Sequence, residues 1–216
     1  MISIKKNVKN IVIPSEEEAF ELHPLDFEEF LLALSDTVTI PYLKNAFEKK
    51  QPLGNMLKPI MDKFRNYMIV GGMPQAVAEY VESKNIDNVE KIKRGIIKLY
   101  REDIAKCAEG YIAEATSIFN SIPSLLAHHD KKIKYSSLGE GDRFSSYKDA
   151  IHWVADSMVV NMCIGTDAPD VAEFMVRPSK LKCYMEDTGL LLTLAAGENY
   201  LTSELYKSFM LGKISG

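Results

Sequence analysis

The chain has 216 residues, of which 46% are hydrophobic and 26% are charged, and its formal net charge is -4. This composition is that of an ordinary globular protein with a sizeable core. The acidic balance argues against a protein that depends on nucleic-acid phosphates for its affinity. Three widely spaced cysteines without a CxxC pair indicate the reducing cytoplasm, and no apolar stretch is long enough to cross a membrane.

The first half of the sequence predicts helices almost throughout. Residues 1–23 are expected to be an extended lead-in, and a strong helix start follows in HPLDFEEFLLAL. There Asp26 can cap the helix, Glu29 completes a capping box, and the apolar residues fall on one face. Further helices, broken by Pro, Gly and Asn-Ile-Asp, are predicted at about 41–49, 54–67, 74–84 and 86–107.

The second half mixes helical and β-type patterns. The helical stretch EATSIFNSIPSLLAHH is followed by the β-type run KIKYSSL, a polar turn and the helical stretch SSYKDAIHWVADSM. The β-type runs VVNMCIG and KLKCYMED come next. Helix, strand, turn, helix and two strands is the order of a winged helix. The sequence therefore predicts a mainly α chain, with a small helical bundle followed by a winged-helix-like α+β domain.

A pair of glycines stands before a predicted helix in NYMIVGGMPQAVAEYV. Glycines at a helix N-terminus often allow the backbone to approach a phosphate. A phosphate-binding loop, however, needs the pattern Gly-x-x-x-x-Gly-Lys-[Ser/Thr], which these 216 residues do not contain. The alternative for the glycines is a tight turn between two core helices.

Several stretches, in order, resemble one family: bacterial and archaeal AAA+-type ATP-binding proteins with a C-terminal domain of unknown function. They are HPLDFEEFLLAL, YMIVGGMPQAV, LYREDIAKCA, FNSIPSLLA with KIKYSSL, KLKCYMEDTGLL and GENYLTSEL. The resemblance implies a C-terminal part of such a protein, without its P-loop core. The implied domains are the lead-in at 1–23, a helical lid at 24–108, a winged-helix-like domain at 109–197 and the start of a further element at 198–216.

The resemblance also implies a role and a partner. The chain alone would be non-catalytic and would need no cofactor or metal, whereas the parent protein would use ATP and Mg²⁺. The chain would relay nucleotide state from the absent core or dock a protein partner. Gly72, Met73 and Pro74 match a Gly-x-Pro motif whose proline packs near the base and ribose. Gly71 would be an extra hinge, and the lid would rotate about the two glycines.

Three further possibilities raised by the sequence stay open. Arg101 is a candidate nucleotide sensor by the resemblance, although an ion pair within or between helices is the simpler interpretation. A winged-helix DNA-binding regulator would use Arg143, Lys148 and His152, but residues 128–152 carry five Lys/Arg against four Asp/Glu, a near balance. A third class is a homo-oligomeric interaction module built on apolar helices.

Overall fold

The structure is a computed structural model that describes residues 22–128, 130–133, 138, 144–165 and 181–197. Within these residues it confirms a mainly α chain, with one two-stranded antiparallel sheet. The helices are α1 (Phe27–Ala33), α2 (Thr39–Glu48), α3 (Leu57–Val70), α4 (Pro74–Ser83), α5 (Ile86–Cys107), α6 (Ile112–Ala127), α7 (Phe144–Asp156) and α8 (Thr188–Ala196). A 3₁₀ turn (Gly54–Met56) precedes α3, and the strands are β1 (Val160–Ile164) and β2 (Leu181–Met185).

The chain divides into two compact units. Among the described residues, the helical unit comprises residues 23–95 and 187–197, and the mixed unit comprises residue 22 and those within 96–186. The boundary therefore falls inside α5, and α8 belongs to the helical unit although it follows β2 in sequence. This division by packing differs from the boundaries implied by the family resemblance, which remain a prediction.

The core of the helical unit is an apolar cluster drawn from four helices. Its buried members are Phe30, Leu31, Val70, Ala76, Val77 and Val89. The Phe30 ring lies 5.5 Å from the ring of Tyr67 and stacks on Tyr80 at 6.0 Å. Each large side chain in this cluster contributes roughly 1.5–3 kcal/mol of hydrophobic free energy when it leaves water. Apolar packing is therefore what holds α1, α3, α4 and α5 together.

An acidic side chain precedes each of the first two helices of this unit and accepts from backbone N–H groups near the start of the helix. Asp26 accepts from the Glu29 N–H at 2.8 Å and the Glu29 carboxylate accepts from the Asp26 N–H at 2.9 Å, which confirms the predicted capping box. Asp36 accepts from the backbone N–H groups of Val38 and Thr39. Burial works to raise the pKa of Asp36, but Lys63, at 2.6 Å, and these hydrogen bonds outweigh it and hold the pKa below its usual range.

The mixed unit packs α6 and α7 against the small sheet. In the sheet Val160 pairs with Met185 and Ile164 with Leu181, so the strands run antiparallel. The Ile133 N–H donates to the Leu181 carbonyl at 2.9 Å, although most of the predicted β-type run KIKYSSL lies outside the described residues. The order of these elements is the predicted one, and the likeness to a winged helix stays a prediction.

Among the described residues, no helix combines the length and apolar character needed to cross a membrane. The predicted lead-in at 1–23, apart from residues 22 and 23, and the element at 198–216 lie outside the described residues.

Candidate functional site

The turn between α3 and α4 is formed by Gly71 and Gly72. Gly71 has a φ of 80°, in the region that side chains other than glycine rarely adopt, and its N–H donates to the Tyr67 carbonyl at 2.7 Å. The Leu25 N–H donates to the Gly72 carbonyl at 2.7 Å. The turn is thus fixed by backbone bonds on both sides, and Pro74 follows in the first turn of α4, where its missing N–H costs nothing.

The N–H of Gly72 donates to a carboxylate 115 positions away in the chain. Asp187 Oδ2 accepts from it at 2.6 Å, and Oδ1 accepts from the Leu190 N–H at 2.7 Å. Asp187 is therefore the N-cap of α8 and, at the same time, the anchor of the turn before α4. The Gly72 N–H, a backbone donor of the kind that could approach a phosphate, is thus already hydrogen-bonded to a carboxylate of the same chain.

Burial changes the protonation chemistry of this carboxylate. Asp187 is only 3% exposed, and burial raises its pKa. The hydrogen bonds from Leu190 and Gly72 and the charge of Lys93 act in the opposite direction and offset part of the effect.

Three glycines allow the backbones of α3, α8 and the Leu25 segment to meet. A Cβ on Gly71 would clash with the Asp187 carboxylate, and a Cβ on Gly72 would clash with the backbone of Leu25. A Cβ on Gly189 would clash with the Val70 carbonyl. These glycines therefore serve close packing. The rotation about Gly71 and Gly72 stays a prediction.

A fully buried ion pair lies beside this contact. Lys93 Nζ is 3.2 Å from Glu90 Oε2, and both side chains are 0% exposed. Lys93 also donates to the Ile69 carbonyl at 2.8 Å, and Thr193 Oγ1 donates to Glu90 at 2.8 Å. Burial lowers the pKa of Lys93, and the charge and hydrogen bond of Glu90 act against that change. We call Asp187, Glu90, Lys93 and Thr193 the buried polar cluster.

The predicted nucleotide-proximal residues differ in their exposure. Gly71 and Gly72 are buried, Met73 is half-buried against the apolar core, and Pro74 is exposed. The exposed surface of this motif is therefore its proline, held on a turn that other segments fix in place.

The candidate sensor Arg101 belongs to the mixed unit. It is exposed, and its guanidinium donates to the Asn120 side chain on α6 at 3.0 and 3.3 Å. This contact joins two helices, as in the simpler interpretation, but its partner is an amide and not the acid that an ion pair requires.

The candidate DNA contacts are only partly described. Lys148 and His152 are exposed and one turn apart on α7, whereas Arg143 lies outside the described residues. Asp149 and Asp156 are exposed on the same helix. The described surface of α7 is thus not basic overall. Among the described residues, no group of three or more His, Cys, Asp or Glu side chains could hold a metal ion.

Sequence reasoning did not identify the buried polar cluster. Asp187 before the apolar stretch TGLLLTLAA, with Gly197 after it, was a helix N-cap and C-terminal signal that could have indicated α8. Glu90 and Lys93, three residues apart, carry no local sign that they are buried.

Comparison with known proteins gives one match. The model of a family described as "Domain of unknown function (DUF8612)" matches residues 61–200. The chain belongs to this family. The matched range contains Gly71–Pro74 and every residue of the buried polar cluster. No curated protein and no solved structure matches the chain.

Proposed function

We propose that this DUF8612 protein is a non-catalytic relay or docking module that presents Pro74 to the nucleotide of an AAA+-type P-loop core. The observation that carries the proposal is the contrast within the motif. Gly71 and Gly72 are buried, and Gly72 is hydrogen-bonded to Leu25 and Asp187, whereas Pro74, two positions on, is exposed. A rigid turn with one exposed apolar ring suits contact with the base and ribose of a nucleotide held elsewhere.

The phosphates would be bound by the core, with ATP and Mg²⁺ as its ligands, since the Gly72 N–H already has an anionic partner in Asp187. The module would therefore sense the nucleotide through apolar contact at the base end. If Pro74 contacts the nucleotide in only one nucleotide state, that contact favours one position of the lid. The position of the lid would then report the nucleotide state to the rest of the chain.

The test joins the chain to a P-loop core taken from a protein that resembles it over residues 24–197. Pro74→Ala removes two ring methylenes, so we expect nucleotide affinity to fall roughly tenfold. Pro52→Ala is the matched control, because Pro52 is also an exposed proline of the helical unit. Titration with a fluorescent nucleotide measures the affinity of the wild-type protein and of each variant. Equal affinities for wild type and Pro74→Ala would remove the proposed contact.

The alternative is a winged-helix DNA-binding regulator. It is favoured by Lys148 and His152, exposed one turn apart on the helix that precedes the β1–β2 pair. The exposed Asp149 and Asp156 on that helix make it the weaker candidate, because DNA-binding surfaces are usually clearly basic. This function predicts that the chain retards duplex DNA in a gel, that added salt weakens the retardation, and that Lys148→Ala reduces it. A chain that leaves duplex DNA unshifted at low salt does not have this function.

A further inference from the structure

The short helix α8 is docked by polar groups along its whole length. At its start Asp187 accepts from Gly72, in its middle Thr193 donates to Glu90, and at its end the Gly197 carbonyl accepts from Arg94 at 2.9 Å. Leu190 and Leu194 add buried apolar surface. Every one of these partners lies in the helical unit.

We propose that α8 is a reversible latch, in which Asp187 is the positioning residue that fixes the start of α4 and hence the direction in which Pro74 is presented. This inference rests on the proposed function for the role of Pro74, but the latch itself is a property of the helical unit. A docked α8 holds the Gly72 N–H; an undocked α8 releases it together with the first turn of α4.

The charged residues buried where α8 packs reduce the free-energy cost of undocking this helix. Docking keeps Glu90 and Lys93 at 0% exposure and Asp187 at 3%, and removal of such charges from water is costly even when they are paired. Undocking returns these charged groups to water. The gain in hydration free energy offsets part of the hydrophobic stabilisation that is lost when Leu190 and Leu194 become exposed. A nine-residue helix is also too short to be stable alone, so it opens as one unit.

The polar contacts also determine which face of α8 is docked. Its sequence, TGLLLTLAA, is apolar on nearly every side. Apolar packing alone would therefore allow several rotations of the helix about its axis. Asp187 and Thr193 select one of them, which is the best-attested role of buried polar groups.

The test compares Asp187→Asn with Asp26→Asn. Both aspartates cap a helix through the third backbone N–H, but only Asp187 also binds a distant segment. Asparagine is an equally good N-cap, yet the Leu190 and Gly72 N–H groups bond different oxygens of Asp187. Asparagine replaces one of these oxygens with an NH2 donor, which cannot accept from the N–H group that faces it. We expect Asp187→Asn to speed amide hydrogen exchange about tenfold or more in Gly72, the first turn of α4 and α8. Asp26→Asn should leave these amides unchanged.

Exchange measured on the wild-type chain in low concentrations of guanidinium gives a second test that needs no variant. The latch predicts that the amides of α8 and Gly72 exchange through one shared opening, with more protection remaining in the middle of α3. Two results overturn it: exchange of α8 only through global unfolding, or faster exchange confined to α8 in Asp187→Asn. Neither result depends on nucleotide, so an unchanged affinity in Pro74→Ala would remove the proposed function and leave the latch standing.

Discussion

Gly72 shows, at the scale of one residue, how the same sequence pattern serves two kinds of chemistry. Its N–H faces an anion, as in a phosphate-binding loop, but the anion is the Asp187 carboxylate. Its missing side chain allows close approach, but the approaching group is the backbone of Leu25. The glycine pair alone left a phosphate approach and a tight turn open, and the structure shows a tight turn whose N–H bonds a carboxylate of the same chain.

Substitution of glycine by alanine distinguishes the packed glycines from an ordinary one. Gly72→Ala should lower the free energy of unfolding by about 1–3 kcal/mol, because its Cβ meets backbone that cannot move aside easily. Gly95→Ala is the matched control: Gly95 is exposed within α5 and has open space around it, so we expect an increase of about 0.5–1 kcal/mol.

Urea unfolding followed by circular dichroism measures both changes. A Gly72→Ala variant as stable as wild type would show that the turn has room, and would contradict the close packing of Gly72 against the Leu25 backbone.

At the scale of helices and strands, local signals predicted most of the described fold. The capping box at Asp26, Pro74 at a helix start and the periodic apolar residues placed α1 to α5 within a few residues of their observed bounds. The signals were sufficient because capping and periodicity act over three or four residues. Pairing of β1 with β2 agrees with the two late β-type runs.

The helix α8 was missed because its apolar residues lie on nearly every side, so periodicity gave no signal. Its partners could not be predicted either. The bond from Gly72 to Asp187 spans 115 positions, and that from Thr193 to Glu90 spans 103. Nothing local to Glu90 or Lys93 predicts that a second helix covers them, so the buried polar cluster emerges only from the tertiary structure.

At the scale of the whole molecule, the chain passes from the helical unit into the mixed unit and back again. The helical unit is completed only by residues from Asp187 onward, which follow the last strand of the mixed unit. The DUF8612 match covers the first and last parts of this contact, Gly72 and Asp187. The central claim about this protein is therefore that the Asp187 carboxylate holds the start of α4.

The same bond has a pH dependence of known sign. Burial raises the pKa of Asp187 above the ordinary value of 3.8. At a pH between this ordinary value, which applies to the unfolded chain, and the higher pKa of the folded chain, the folded chain holds a proton that the unfolded chain has released. The contribution of Asp187 to the free energy of unfolding therefore falls as pH rises through this range. Lys93 and Tyr67 are the charged or titratable groups coupled to it.

The most direct measurement is an NMR titration of the Gly72 amide proton. A proton bonded to a carboxylate reports the charge of that carboxylate, so its chemical shift should follow the protonation of Asp187. We predict one titration with a midpoint above 3.8, which Asp187→Asn abolishes while Asp26→Asn leaves it intact. A Gly72 shift that is constant across this pH range in the wild-type chain, or that still titrates in Asp187→Asn, would contradict the central claim.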